Sequence, residues 1–268
     1  MSGGAAIALI TATVGCQLDT GGGRRTGSGE SLLELVGPPT PAEAAQWAVD
    51  PNSPDNRQQG LLLLANAPFG GESVYMELYR LGLDDDDAAV RAAAIKAFGL
   101  HGGPPEGRLV LERLTPAEDV LVRREAARTM ARIHVPESIG ALIAMLDRRV
   151  EPDAEARALA AEALGQHREP RVVQALIGAL ADPRLVVGES ARRSLETLTG
   201  EDLGPEPEPW LVWTERTSDP FAGARTFYYT VFQRDRWFIE YIIPWDEPPN
   251  EIASTPAGMP LEAEASGG

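Results

Sequence analysis

Along the middle of the chain, apolar residues recur at i, i+3, i+4 and i+7, the spacing that lays one sticky stripe on a helix. The clearest stretch runs from Asp119 to Leu180. A helix carrying Val122, Ala126, Met130 and Ile133 comes first, and Pro136 then opens another carrying Ile139, Leu142, Ile143 and Leu146. The template returns with Ala156, Ala160 and Leu164, followed by Pro170, Val173, Leu176, Ile177 and Leu180. Each unit can be anchored on the first residue of a Val-Arg type pair in its second helix. The anchors are Asn56, Val90, Val122, Ala156 and Val187, spaced 34, 32, 34 and 31. Four residues after every anchor stands a small residue: Gly60, Ala94, Ala126, Ala160 and Ala191. A single helix pair cannot bury its stripe, so the units must stack, and the small residues let neighbouring helices approach.

The expected fold is therefore mainly α: a right-handed α-solenoid of about five helix pairs over residues 40–203. Thr40 serves as its first N-cap, with Pro41 at the first helical position. In three successive units an arginine follows an aspartate by four residues: Asp87/Arg91, Asp119/Arg123 and Asp153/Arg157. Each Asp can cap its helix, and each Arg can pair locally or with the next unit. Units one and five depart from the template, with Asn56-Arg57 and Val187-Gly188.

The pattern changes after Gly200. Of the chain's 16 aromatic residues, 11 lie between Trp210 and Trp245. Thr226–Phe232 and Trp237–Ile243 alternate in the manner of two strands. A lone hairpin is marginal in water. Residues 204–246 are thus expected to form a β-hairpin cap lying on the last helix pair. Residues 247–268 are polar and rich in Pro, Ala and Gly, and are expected to be disordered.

Charge narrows the functions. The net charge is −16, yet Asp87–Gly200 holds 16 acidic and 16 basic residues. The excess sits in the flanks, and no basic footprint for phosphates is present, which argues against nucleic acid as a partner. The single cysteine, Cys16, follows the short apolar run Ala5–Gly15, too short to span a bilayer but suited to a secretory signal.

Two resemblances follow from these residues. The repeat over Thr40–Leu203 resembles HEAT-type repeats, in the short form also seen in phycobilin lyase subunits. That resemblance implies a stacked helical scaffold, and nothing beyond the repeat carries tetrapyrrole chemistry over. Thr13-Val14-Gly15-Cys16 resembles the lipobox of bacterial lipoproteins, with Thr where the family usually has Leu. It implies residues 1–16 as a signal segment, lipid on Cys16, and residues 17–39 as a flexible tether. The resulting location is the periplasmic side of a bacterial cell envelope, with the cytoplasm as the alternative.

Candidate chemistry is sparse. Arg124, Arg128 and Arg132 lie at i, i+4 and i+8, on one face of a second helix. They could form a groove for an anion or an acidic peptide, or a solvated face balanced by Glu125 and Glu162. His101, His134 and His167 are spaced 33 and 33, at the ends of second helices. Stacked axes lie about 8–10 Å apart, against about 2.0–2.1 Å from zinc to a ligating nitrogen. The histidines are therefore read as helix C-caps rather than metal ligands. Deoxyhypusine hydroxylase binds iron through repeated His-Glu pairs on such helices, and no His-Glu dipeptide occurs here. Trp210, Trp213, Trp237 and Trp245 are read as the core of the cap before a carbohydrate or peptide site. No phosphate loop, Gly-x-Ser-x-Gly elbow, CxxC pair or haem motif is present. The expectation is a non-enzymatic scaffold with no cofactor and no metal, whose partner is another protein. Membrane contact would come only through the lipid on Cys16. The alternative is a ligand-holding subunit or lyase-like enzyme that uses the groove.

Overall fold

The computed structural model describes residues 39–231 and 252–260. Helices pair in chain order: Pro41–Ala48 (α1) with Pro54–Ala65 (α2), and Ser73–Gly82 (α3) with Ala88–His101 (α4). Pro104–Leu111 (α5) pairs with Val120–Arg132 (α6). Ile139–Met145 (α7), entered through a 3-10 turn at Pro136–Ser138, pairs with Ala154–Leu164 (α8), and Pro170–Ala179 (α9) with Leu185–Thr199 (α10). A further helix, Pro207–Arg216 (α11), follows.

The start signals act locally. Thr40 and Glu43 form a capping box, and Ser53 caps α2. Asp87, Asp119 and Asp153 each accept from backbone N–H groups at the head of α4, α6 and α8. Gly200 ends α10 at φ 79°, the left-handed conformation that glycine adopts without penalty.

The even-numbered helices pack on one another in sequence, α2 through α10, and each odd-numbered helix packs mainly on its own partner. The even row is therefore the tighter, inner layer of the solenoid. The small residues sit in that layer as the spacing predicts. Ala94, Ala126, Ala160 and Ala191 are fully buried. A Cβ on Gly60 would come within 2.4 Å of the Ala48 nitrogen. One continuous apolar core runs from Ala44 to Phe227.

A ladder of arginines ties unit to unit. Arg57 donates to the Asp85 carboxylate, Arg91 to Glu118, Arg123 to Glu151 and Arg157 to Asp182. Each arginine also donates to a backbone carbonyl in the turn before its own helix: Asp50, Asp85, Glu118 and Glu151 respectively. Asp85, Glu118 and Glu151 therefore serve twice, the side chain towards the preceding unit and the carbonyl towards their own. The lower rungs are the driest, with the Glu151 side chain 2% exposed against Arg123, and Arg157 and Asp182 at 3% and 5%. Hydrogen bonds to arginine hold the Asp85 carboxyl below its ordinary range, and they raise Arg123.

The β-hairpin cap is not found. Among the described residues there is no strand, and the cap region instead opens with α11. Pro207 and Glu208 supply a helix start there, and the Trp210 ring is fully buried, its Nε1 donating to the Gly204 carbonyl at 2.8 Å. Residues 225–231 form neither helix nor strand, with Phe227 buried, Tyr229 and Val231 half-buried, and Thr226, Tyr228 and Thr230 exposed. The period-2 burial is real, but its partner surface is the flank of the solenoid. The second expected strand, Trp237–Ile243, lies outside the described residues. Residues 252–260 return to the solenoid: the Ala257 N–H donates to the Arg132 carbonyl at 2.8 Å, and the His134 N–H donates to the Ala257 carbonyl at 2.9 Å.

Breaking one rung strands a buried carboxylate. Arg123→Met is expected to cost about 3–5 kcal/mol, the usual penalty for removing one partner of a buried pair. The double variant Arg123→Met/Glu151→Met should recover most of that loss. Urea unfolding checks it, and equal losses in the single and double variants would count against the ladder.

Candidate functional site

Two neighbouring cavities on the even-helix face meet at α4 and α6, and a third, of about 250 Å³, lies beyond them over α8 and α10. One of the two, of about 350 Å³, lies over α2, α4 and α6, with Leu62, Ala93, Lys96, Leu121 and Arg124 among its walls. The other, of about 440 Å³, lies over α4, α6 and α8 and is bounded by Leu159, Arg132, Thr230 and Val231. Lys96, Glu125 and Arg128 line both.

The arginine row on α6 falls on this face, but its charges are answered within the chain. Arg124 grips Asp153 with two hydrogen bonds of 2.8 and 2.6 Å and reaches Glu155 at 2.9 Å. Those hydrogen bonds draw Asp153 down to about 2, while Asp153 also caps α8. Arg128 pairs with Glu125 and lies 3.6 Å from Glu155. The Arg132 guanidinium stands over the Tyr229 ring, 4.9 Å from its centroid. Sequence reasoning counted Glu125 and Glu162 as the balancing charges. For Arg124 the partners come instead from the next unit, where Asp153 and Glu155 sit some thirty residues on.

Lys96 is the chain's single lysine, and among the described residues it makes no ion pair. Its place on the wall common to both cavities puts it at the middle of the face. Glu162 holds the far end, accepting from the Thr230 N–H at 3.1 Å. Cys16 lies outside the described residues.

The histidines end up closer together than axial spacing implied. The His134 and His167 rings stack with centroids 4.9 Å apart. His134 Nδ1 lies 2.9 Å from Gln166 Oε1, and Gln166 Nε2 donates to the Met130 carbonyl at 2.6 Å. His101 Nε2 lies 2.7 Å from the Ala65 carbonyl, so it closes the end of α2 rather than of its own helix. His167 is 3% exposed, and its Nε2 has no hydrogen-bond partner among the described residues. Burial, with His134 and Arg171 nearby, lowers it to about 3, so it is neutral and offers no charge to a helix dipole. No group of three potential metal ligands comes together among the described residues.

A family model for HEAT repeats matches residues 76–151 and 107–196, from within α3 to within α10. No curated protein matches the chain. The stacked pairs form a HEAT-repeat-like α-solenoid domain.

The buried imidazole sets a pH dependence with a definite sign. His167 takes up its proton near pH 6.5 when unfolded but near pH 3 when folded. Stability is full above pH 6.5 and falls as pH drops below it, because the unfolded chain then binds the extra proton. The expected loss from this group is about 1.4 kcal/mol per pH unit. His167→Gln should flatten chemical-denaturation stability between pH 6.5 and 4.5, above the range of the paired carboxylates. An unchanged slope would refute the assignment.

Proposed function

We propose that this solenoid is a non-enzymatic scaffold that binds another protein along its even-helix face, held at a bacterial cell envelope by lipid on Cys16. The observation that carries the binding half is the pair of adjoining cavities on that face, which set Leu62, Ala92, Ala93, Leu121 and Leu159 among charged side chains, with Lys96, Glu125 and Arg128 on their common wall. Leu121 is half exposed there, an apolar side chain on a surface otherwise furnished with ion pairs. Stacked repeats suit this task because they present a long, stiff surface whose shape rests on neighbour contacts. The lipobox-like Thr13-Val14-Gly15-Cys16 supports the tethered location.

Two measurements test the halves separately. Cys16→Ser is expected to move the protein from the membrane fraction to the soluble one, and retention in membranes would reject the lipid anchor. Crosslinked co-purification from the native envelope should give a partner whose recovery falls at least fivefold with Leu121→Glu. Recovery should be unaltered with Arg149→Glu, whose side chain is 90% exposed on a turn outside both cavities. Equal recovery in both variants would place the interaction elsewhere.

A further inference from the structure

Non-helical chain already lies against one end of the even-helix face. From Arg225 to Val231 the protein's own backbone crosses α10 and α8 towards α6. The Arg225 N–H donates to the Thr197 carbonyl at 2.8 Å, the Thr230 N–H donates to Glu162, and Tyr229 sits beneath Arg132. Val231 lines the cavity over α4, α6 and α8. Beyond it the same face continues past Lys96 to Leu121 and Leu62.

The charges on that continuation are not equivalent. Arg124 and Arg128 are held by Asp153, Glu155 and Glu125, and Arg132 is engaged at Tyr229. Lys96 is half-buried and meets no carboxylate among the described residues. An ammonium without a counterion favours an incoming carboxylate, because a charge-assisted hydrogen bond strengthens as the docking segment displaces water. The apolar part of the lining is Ala92, Ala93, Leu62 and Leu121 on one side and Leu159 on the other, with Glu125, Glu155 and Glu162 among the remaining walls.

We infer that the groove takes an extended segment of a partner protein, laid across α8, α6, α4 and α2, with a carboxylate at Lys96 and an apolar side chain on Leu62 and Leu121. Three steps between helices of about 8–10 Å each correspond to about eight residues at about 3.3 Å per residue. The proposal rests on the scaffold reading and narrows it: the recognised feature is a short acidic-apolar strand, and Lys96 rather than the arginine row reads its charge.

The lone lysine makes the test direct. The probe is an acetylated, amidated nonapeptide of three Ser-Glu-Leu repeats, its control the Ser-Lys-Leu twin, and the protein is the full chain. A carbodiimide joins a carboxylate to an amine by an amide bond, its water leaving as the urea. Peptide mapping should find the acidic probe coupled to Lys96, and anisotropy should show at least tenfold weaker binding for Lys96→Glu and for the lysine twin. Lys96→Met, checked for unchanged helicity, should lose coupling and weaken binding severalfold. Equal affinity for the two peptides, or coupling of the probe only at the N-terminal amine, would overturn the proposal. So would a crosslink from Lys96 to a carboxylate of this same chain, which would make the occupant internal. A native partner retained by Lys96→Glu but lost with Leu121→Glu would leave the scaffold standing and remove Lys96 as its reader.

Discussion

Every turn that precedes an inner helix from α4 to α8 is clamped from two directions by guanidinium groups. An arginine from the unit before takes the acidic side chain, and the arginine of the unit itself takes the carbonyl. The turn cannot move without disturbing both units. Apolar stacking alone is tolerant of sliding, because one leucine stripe resembles the next. Three of the four rungs are bidentate, Arg91 meeting Glu118 through one N–H only, and these three are not tolerant, since a guanidinium fork meets a carboxylate in one geometry. The ladder thus acts chiefly on register. Its contribution to net stability is smaller than its burial suggests, because removing charges from water offsets much of the attraction. The last rung is Arg157 to Asp182. The next anchor is followed by Gly188, which has no side chain to extend the series, and the solenoid there meets different structure in α11.

How much of this could be read in the chain depends on how far each interaction reaches. Helix starts are local, and Thr40, Asp87, Asp119 and Asp153 announce them correctly. The small residue after each anchor is a periodic signal, and all five positions are buried. The rungs are neither local nor strictly periodic. The carboxylate partner lies 25 to 28 residues after its arginine, so its offset varies with turn length. A reader looking four residues away finds the capping aspartate instead. The same blindness made Arg124 and Arg128 look like an open basic row, since Asp153 and Glu155 arrive only when α8 packs beside α6.

The C-terminal region shows the converse. The alternation at Thr226–Val231 is a true statement about which side chains are buried, and Phe227 and Tyr229 do face the protein. Alternation says that a backbone is extended and one side covered; it does not say by what. Here the covering surface is the flank of helices, reached through single hydrogen bonds to Thr197 and Glu162. Density of aromatics also outweighed a quieter signal. Pro207 and Glu208 are ordinary first-turn residues, and Trp210 serves as the anchor of a helix.

These facts shape what the inner face can recognise. Because most of its basic groups are spent on internal carboxylates, the solenoid projects little field of its own, and the −16 net charge of the whole chain repels acidic partners at range. Screening limits any single charge to about 8 Å at physiological salt. Lys96 therefore cannot steer a partner in from a distance; it can only discriminate once contact has been made. Affinity must then come from the apolar part of the lining and from backbone hydrogen bonds of the kind Glu162 already offers. Association on such a face should be slow and selective at the docking step, rather than fast and governed by charge.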